Sequence, residues 1–279
     1  QPKYNPMSER AKAGCKINIG LDVLRRRADG YHDIETVMYP VHELCDEIEV
    51  ERCGCGVRFV QNGIAVDCDD EQNLCVRAYR LMQERFGIGG AEIRLDKRIP
   101  FGAGLGGGSS DATTTILLLN KLFGLALSEP QLMELAAILG SDTAFFVRNE
   151  PQLCSGRGEV LTPIHLPLAG KWLAILKPAE GVSTREAYAG VKPAVPATGL
   201  TEALQQPIGE WRECVKNDFE PHVLAVHPRI AQLKQYLYGI GASYASMSGS
   251  GSAVFGIFAE QPHIVPPFEN TFIHTEKLR

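Results

Sequence analysis

The chain has 279 residues, of which 44% are hydrophobic and 22% charged, and it carries a formal net charge of −5. This length predicts about two domains, each large enough to bury its own core. An acidic balance argues against proteins that bind nucleic acid or membrane surfaces, because both partners select for basic surfaces. No segment approaches the length of apolar chain that spans a bilayer, and residues 1–6 lack the apolar core of a signal peptide. We therefore expect a cytoplasmic protein that binds neither nucleic acid nor membrane.

The cysteines do not follow a metal-binding or disulfide pattern. Eight are present, and none of them forms a Cys-x-x-Cys pair. The densest group, Cys53, Cys55, Cys68 and Cys75, lacks the ligand spacing of zinc fingers. Disulfides are rare in reducing compartments, so the sequence favours neither a metal site nor disulfide bridges.

The N-terminal part of the chain predicts a β-hairpin followed by short strands. Residues 15–24 alternate well enough to form a half-buried strand, with Ile17 and Ile19 on its apolar face. A second strand over residues 34–41 completes the hairpin, whose tip lies at residues 27–32. Further strands are predicted over residues 47–51, 57–60, 64–66 and 91–95.

Capping residues predict two helices. Asn73 precedes an amphipathic segment that reaches residue 86, and asparagine is a preferred N-cap. Ser128 and Gln131 fit a capping box at the start of a second helix, which Gly140 ends.

The most informative stretch lies between these helices. Residues 102–108 contain five glycines in seven positions and lead directly into the apolar run 113–119. Glycine allows the backbone to approach an anion closely, and the N–H groups of a following first helical turn point outward without partners. These donors lie at the positive end of the helix dipole. The pattern therefore predicts a phosphate-binding loop followed by a helix.

Two other loop motifs can be tested against the residues that flank this glycine loop. Gly102, Gly104 and Gly107 spell the dinucleotide-binding pattern G-x-G-x-x-G, but that pattern directly follows a strand. Here residues 96–100 intervene. The P-loop pattern is excluded because no Lys-Ser or Lys-Thr pair closes the run. A loop with only a structural role stays open as an alternative.

A candidate catalytic carboxylate follows the second helix. Asp142 lies between Gly140 and the apolar residues 144–147, for which we predict a strand. An acid at such a junction is well placed for chemistry, although a turn or capping aspartate is the commoner fate of this residue type.

The C-terminal half again alternates strands and helices. Ser183 caps a short helix that carries Tyr188, and residues 191–209 are predicted to form a surface connection. Two strands enclose a second glycine-serine run at residues 247–252. A turn followed by a strand is predicted over residues 155–164, a strand over residues 172–176, and helices over residues 209–216 and 228–238. The whole pattern predicts an α+β protein with domains at residues 7–155 and 156–279.

Taken together, these motifs resemble the GHMP kinase superfamily. The superfamily signal is the glycine loop at residues 100–112 with the second glycine run at residues 247–252. Narrower motifs resemble the members that act on a cytidine-diphosphate-linked methylerythritol. They lie at residues 16–18, 27–32, 139–142, 158–163 and 217–220. Arg157 departs from the pattern, since related enzymes usually have a smaller residue in that turn.

The resemblance implies a fold and an activity. The N-terminal domain is expected to resemble domain 2 of ribosomal protein S5, and the C-terminal domain to be ferredoxin-like, with the active site in the cleft between them. ATP is expected to donate its γ-phosphoryl group to the 2-hydroxyl of the methylerythritol unit, in the non-mevalonate route to isoprenoid precursors. The expected partner is thus a small molecule that carries a cytidine diphosphate group.

The resemblance also implies roles for individual residues. Asp142 matches the aspartate that accepts the hydroxyl proton, and Lys16 matches the lysine that stabilises it and the phosphates. Asn73 and Lys97 match positions near the adenine. The loop residues that match the phosphate cradle are Gly102, Gly104, Leu105, Gly106, Gly107, Gly108, Ser109 and Ser110. The residues that match substrate contacts are Asn18, Tyr31, His32, Thr184 and Tyr188.

These roles agree with the chemistry of phosphoryl transfer. The reaction requires positioning, charge neutralisation and an acceptor for the proton of the alcohol. Mg²⁺ bridging the phosphates is expected, with Ser110 as a possible hydroxyl ligand, since this ion keeps several waters and few protein ligands. Aromatic rings that stack on a base, together with hydrogen bonds to its edge, suit recognition of cytosine.

Two other functions stay open at this point. A GHMP kinase for homoserine or mevalonate would share the loop, but Tyr31 and His32 argue against it. A nucleotide-binding sensor without turnover would share the fold, but it would not need both Lys16 and Asp142.

Overall fold

The computed structural model describes residues 7–65 and 69–279. The chain divides into two compact units built from interleaved pieces of sequence. The described residues among 1–15, 42–101 and 106–150 form the first unit, and residues 16–41, 102–105 and 151–279 form the second. The division at residue 155 stays a prediction about sequence domains, since the compact units do not follow one continuous boundary.

The strands within the described residues form two sheets. They are β1 (Ser8–Arg26), β2 (His32–Arg52), β3 (Val57–Gly63), β4 (Ala91–Lys97), β5 (Gln152–Ser155), β6 (Val160–Pro163), β7 (Trp172–Lys177), β8 (Tyr244–Met247), β9 (Val254–Phe258) and β10 (Phe272–Lys277).

The α-helices of the described chain occur in both units. They are α1 (Leu74–Phe86), α2 (Gly107–Leu122), α3 (Glu129–Leu139), α4 (Phe145–Arg148), α5 (Thr184–Ala189), α6 (Leu200–Ala203), α7 (Trp211–Cys214), α8 (Glu220–Val226) and α9 (Pro228–Gly239). Short 3₁₀ turns occupy Asp70–Gln72 and Ile208–Glu210.

The first unit packs three helices on a sheet. β4 lies between β3, to which it runs parallel, and the C-terminal half of β2, to which it runs antiparallel. α1, α2 and α3 bury their apolar faces in one core with these strands, which includes Ile48, Ile93, Tyr79, Leu119 and Leu132. The core supports the N-terminus of α2, where the glycine loop ends.

The second unit contains an antiparallel sheet in the order β10–β7–β9–β8. α8 and α9 pack in its core, where Val223, Ile230 and Leu233 meet Leu176 and Val254. The first half of β2 pairs with β5, and β5 pairs with β6. These pairings hold the tip of the β1–β2 hairpin in the second unit.

Local chemistry explains where the long helices begin and end. The Asn73 side chain accepts a hydrogen bond from the Cys75 N–H at 2.9 Å, and Gly87 ends α1 with a φ of 61°. The capping box predicted for Ser128 and Gln131 is present at the start of α3. Both predicted helices are confirmed.

The structure corrects several predicted strands. The strand expected over residues 144–147 is helix α4, because a four-residue apolar run cannot distinguish a buried strand from a buried helical turn. The turn and strand expected over residues 155–164 are confirmed, since a turn at residues 156–159 leads into β6, which pairs with β5. β3 ends at Gly63, before the strand expected over residues 64–66, and Val66 in that range lies outside the described residues.

Other corrections concern element length. The strands expected over residues 34–41 and 47–51 are one continuous strand, β2. α2 begins within the predicted loop rather than after it. The helix expected over residues 209–216 is a 3₁₀ turn followed by α7, and α6 interrupts the expected surface connection. The sequence patterns did not predict α8 or β10.

No helix in residues 7–65 and 69–279 combines the length and apolarity that a bilayer-spanning segment requires.

Candidate active site

The first unit presents the start of α2 as an anion-binding site. Gly106, with a φ of 69°, precedes the helix, and no side chain of the described residues caps this end. The Ser110 N–H bonds to the Gly106 carbonyl at 2.9 Å, so the N–H groups of Gly107, Gly108 and Ser109 precede the first intrahelical hydrogen bond. Donors in this position attract phosphate.

The turn that carries Asp142 is attached to the same helix. The hydroxyl of Thr113, on α2, lies 2.7 Å from the Thr143 carbonyl oxygen. The Thr143 hydroxyl lies 2.6 Å from the Gly140 carbonyl oxygen, and the Ser141 hydroxyl lies 3.4 Å from the Asp142 carboxylate. A half-buried carboxylate is thereby held in the same unit as the uncapped first turn of α2.

The glycine at the end of α3 shows how close this turn comes to the loop. A Cβ atom built on Gly140 would lie 4.0 Å from the Ser109 hydroxyl oxygen. Since that distance is ordinary contact, the turn before Asp142 packs directly beside the first turn of α2. The predicted base and the predicted phosphate cradle are therefore neighbours within the first unit.

Asn73 lines a cavity as well as capping α1. The cavity has a volume of about 270 Å³, and its lining also includes Phe59, Gln61, Gly63 and Asp70. The backbone of Lys97 borders this lining, because its carbonyl oxygen accepts the Ile64 N–H at 2.9 Å. An aromatic ring beside polar groups is a suitable lining for a nucleobase.

The ammonium group of Lys97 points away from solvent into a buried charge cluster. Its Nζ lies 2.5 Å from the Asp46 carboxylate and 2.7 Å from that of Asp111. Burial lowers the pKa of Lys97, but the two carboxylates outweigh it and the net pKa is raised. Burial raises the pKa of Asp111 above its usual value and the negative charge of Asp46 adds to this effect, while the Lys97 ammonium opposes it.

In the second unit, Lys16 and Asn18 meet the first part of the glycine loop. The Lys16 N–H donates to the Leu105 carbonyl at 2.9 Å, and its Nζ lies 3.0 Å from the Gly104 carbonyl. Lys16 Nζ also donates to the Asn18 side-chain oxygen. The Asn18 amide donates to the Thr36 hydroxyl at 3.1 Å. Both predicted side chains are buried and ordered by hydrogen bonds.

The second glycine run completes this arrangement. The Ser252 and Ala253 N–H groups donate to the carbonyls of Gly102 and Ala103 at 3.3 and 3.1 Å. The Ser248 hydroxyl donates to the Gly104 carbonyl at 2.9 Å. Residues 248–253 therefore order Gly102, Ala103 and Gly104 of the phosphate loop through backbone N–H groups and the Ser248 hydroxyl.

Asn217 holds the second glycine run from the other side. Its side-chain amide donates to the carbonyls of Met247 and Gly249 at 2.9 and 2.8 Å, and its oxygen accepts the Phe219 N–H at 3.0 Å. This role explains why the motif at residues 217–220 accompanies the glycine run.

Aromatic side chains gather at the hairpin tip. The His32 ring stacks on Tyr188 with a centroid distance of 4.9 Å and an angle of 21°, and Tyr188 packs edge-on against Phe219 at 4.8 Å. Tyr31 is 55% exposed. The guanidinium group of Arg157 lies 4.1 Å from the centroid of its ring. Two of the predicted base-binding residues thus form one stack, and the third presents a ring to solvent.

Thr184 is exposed at the first position of α5, four residues before Tyr188. The Ser183 side chain accepts the Glu186 N–H at 3.1 Å and caps this helix as predicted. Positions four residues apart share a helix face, so Thr184 lies on the same side of α5 as the His32 stack.

Sequence reasoning missed residues whose importance depends on distant partners. The sequence patterns do not indicate Asp46 or Thr36, although both lie on β2 and are 0% exposed. A buried polar residue of this kind needs a hydrogen-bond or charge partner, which is the one signal that could have indicated them. Arg157 was noted only as a departure from the family pattern.

Comparison with known proteins identifies related sequences over most of the chain. The sequence model for the GHMP kinases N terminal domain matches residues 73–150, and that for the GHMP kinases C terminal domain matches residues 200–265. A protein from Bacteroides fragilis named 4-diphosphocytidyl-2-C-methyl-D-erythritol kinase is 43% identical over 269 residues, which cover 95% of this chain and 98% of the relative.

Solved structures agree with the sequence relatives. A crystal structure of 4-(cytidine 5'-diphospho)-2C-methyl-D-erythritol kinase matches with a TM-score of 0.77 and 34% identity, and the match covers 89% of this chain and 90% of the other. A homoserine kinase from Cytophaga hutchinsonii matches with a TM-score of 0.66 at 17% identity, covering 98% and 95%. The second likeness shows the fold alone. The predicted α+β GHMP kinase fold is confirmed.

Proposed function

The chain belongs to the 4-diphosphocytidyl-2-C-methyl-D-erythritol kinase family of GHMP kinases, and from this premise we propose how its residues perform the reaction. The enzyme transfers the γ-phosphoryl group of ATP to the 2-hydroxyl of 4-diphosphocytidyl-2-C-methyl-D-erythritol. The products are the 2-phosphate and ADP, in the methylerythritol phosphate route to isoprenoid precursors. Its small-molecule substrate carries a cytidine diphosphate group.

The attachment of the Asp142 turn to α2, beside the first turn of that helix, is the observation that carries this mechanism. It keeps a carboxylate beside an uncapped helix N-terminus. Phosphoryl transfer needs anion donors for the phosphates and an acceptor for the proton of the attacking alcohol. The N–H groups of Gly107, Gly108 and Ser109 supply the first, and Asp142 supplies the second.

The chemical step is a displacement at the γ-phosphorus. The 2-hydroxyl oxygen forms a bond to phosphorus while the bond to the β–γ bridging oxygen breaks, and ADP leaves. The hydroxyl proton moves to the Asp142 carboxylate. Lys16 contributes a positive charge to the phosphates, and Asn18 orients the Lys16 ammonium by accepting its hydrogen bond.

ATP binds through both parts of the glycine loop. The first part contains Gly102, Gly104 and Leu105 and is ordered by hydrogen bonds from the second glycine run and from Lys16. The N–H groups of Gly107, Gly108 and Ser109, between Gly106 and Ser110, contact the phosphates. The cavity lined by Asn73 and Phe59 takes the adenine, beside the backbone of Lys97. An apolar ring and amide groups provide both the stacking and the hydrogen bonds that a purine needs.

Mg²⁺ fits the chemistry of the residues at this site. The described residues contain no cluster of three or more His, Cys, Asp or Glu side chains that could hold a metal ion. Mg²⁺ often depends on substrate phosphates and water rather than on a protein cage, and a hydroxyl such as that of Ser110 is an adequate additional ligand. When bound, the ion neutralises charge on the β- and γ-phosphates.

The substrate binds through the second unit. His32 and Tyr188 are already stacked, and Tyr31 offers an exposed ring to the cytosine. Thr184 and Asn18 provide hydroxyl and amide groups for the rest of the molecule. The aromatic cluster explains the preference for a cytidine nucleotide over homoserine or mevalonate, because neither of those acceptors has a ring to stack.

Phosphorus NMR of the purified protein with Mg-ATP tests this function. Parallel tubes contain 4-diphosphocytidyl-2-C-methyl-D-erythritol, homoserine or mevalonate. We expect a new phosphomonoester signal and ADP only in the first tube. A signal with another acceptor would contradict the substrate assignment, and ATP binding without ADP in any tube would indicate a sensor.

A further inference from the structure

A buried charge cluster that the reaction chemistry does not use lies beneath the glycine loop. The side chains of Lys97, Asp46 and Asp111 are 3%, 0% and 3% exposed. They come from β4, β2 and the first turn of α2. Burying charged groups costs free energy unless they are paired. We therefore expect this cluster to have a structural or functional role.

The cluster contacts the chain on both sides of the loop. Before the loop, the Asp46 carboxylate accepts the Arg98 and Ile99 N–H groups at 2.6 and 2.8 Å. After it, a Cβ atom built on Gly107 would lie 3.1 Å from Lys97 Nζ, so the ammonium lies against the helix start. Asp111 follows Ser110 directly, and its Oδ1 has no hydrogen-bond partner among the residues that the structure describes.

We propose that Lys97, Asp46 and Asp111 are positioning residues that set the distance between the end of β4 and the start of α2, and thereby aim the phosphate-binding N–H groups. Lys97 then affects ATP through the loop, and its ammonium does not touch the nucleotide. This inference rests on the proposed use of the α2 N-terminus for ATP.

The conformational freedom of the glycine loop gives a physical reason for positioning residues. Its glycines provide little resistance to bending, since glycine accepts backbone conformations that other residues avoid. Small displacements of a catalytic or binding group can cost large factors in rate. Two short charge-assisted contacts from one ammonium restrain both ends of the flexible segment.

The first test compares Asp111→Asn with a matched control, Asp96→Asn. Asp111→Asn keeps the Lys97–Asp46 pair, while Asp96 lies on β4 with an exposed side chain paired to Arg98. ATP affinity is measured by calorimetry without acceptor, so the result does not depend on the identity of the second substrate. Steady-state kinetics then separate KM for ATP from KM for the cytidine substrate.

We expect Asp111→Asn to weaken ATP binding by about 10-fold or more, with KM for the cytidine substrate within about twofold of wild type. Asp96→Asn should behave as wild type. Unchanged ATP affinity in Asp111→Asn, with or without a lower Tm, would overturn the proposal and leave the cluster a purely structural one.

Replacing Lys97 alone would leave two buried carboxylates, and that variant could fail to fold. A triple variant, Lys97→Met with Asp46→Asn and Asp111→Asn, removes every charge together. Weak ATP binding in the folded triple variant supports positioning, and wild-type affinity overturns it. If ATP binding weakens only when Lys97 is replaced, while Asp111→Asn stays normal, Lys97 contacts the nucleotide directly and the proposal is wrong.

Discussion

Asp142 owes its position to hydroxyl–carbonyl contacts and not to a regular element. Thr113 and Thr143 each place a side-chain hydroxyl against a backbone carbonyl, which holds the turn against α2. Because the attachment involves neighbouring residues and not the carboxylate alone, the geometry of the turn should survive the loss of the charge.

Asp142→Asn tests the proton acceptor directly. The amide keeps the shape of the side chain but cannot accept the proton, so kcat should fall by about 10²–10⁴-fold, the usual scale for a general base. ATP affinity, measured by calorimetry, should stay near that of wild type. A variant with normal kcat would remove Asp142 from the mechanism.

Substitution of Tyr188 tests whether the aromatic cluster binds the cytosine. Tyr188→Leu removes the ring that stacks on His32, and KM for the cytidine substrate should rise about 10-fold, since an aromatic contact to a base contributes ~1–3 kcal/mol. KM for ATP should not change. Tyr188→Phe keeps the ring and serves as the control, and equal effects of the two variants would show that stacking is not the cause.

At the scale of elements, the phosphate loop combines glycine conformation with close backbone contact. Gly102 and Gly104 both have positive φ, at 62° and 74°. They differ in surroundings, because a Cβ atom on Gly104 would lie 2.0 Å from the Ser248 carbonyl oxygen. A Cβ atom on Gly102 would have no atom of the described residues within 4 Å, apart from its two chain neighbours. Substitutions at these two glycines therefore separate the effect of backbone strain from the effect of steric clash.

Gly104→Ala should therefore be more damaging than Gly102→Ala. A left-handed conformation costs a non-glycine residue about 1–3 kcal/mol, which both variants share, and only Gly104→Ala must also displace the Ser248 carbonyl. We expect a larger loss of unfolding free energy in urea, and weaker ATP binding, for Gly104→Ala. Equal losses would argue against the close contact between the two glycine runs.

At the scale of the whole molecule, the carboxyl groups of Asp22, Asp218 and Glu35 make the free energy of unfolding depend on pH. Burial, then repulsion from Asp218 and Glu35, raises the pKa of Asp22 from 3.8 to about 6. The folded state therefore holds a proton that the unfolded state has released between these pH values. Stability from this group is present at low pH and is lost as the pH rises through 6.

Asp22→Asn removes this pH dependence. At pH 7 we expect the variant to be more stable than wild type by about 1 kcal/mol, which is the linkage value reduced for partial solvent exposure. At pH 4 the two proteins should differ little. Urea unfolding at both pH values measures the difference, with Asp96→Asn as the control, and a gain of equal size at pH 4 would show that titration of Asp22 is not its source.

Prediction from sequence succeeded where the physical cause is local. The starts of α1 and α3 follow from the caps at Asn73 and Ser128, since a cap acts within one helical turn. It failed for residues 144–147, where a short apolar run fits both a strand and a helical turn. It also failed to find Asp46, because nothing near it in sequence shows that its partner is Lys97.

The sequence by itself determined the family, the phosphate loop and the residue types that carry the chemistry, because these depend on which residues stand at short, fixed spacings. Only the tertiary structure decided that Lys97 is enclosed by two carboxylates, that His32 stacks on Tyr188 and that Ser248 bonds to Gly104. Each of these contacts joins residues far apart along the chain. Their burial, charge environment and hydrogen bonds depend on what folding packs beside them.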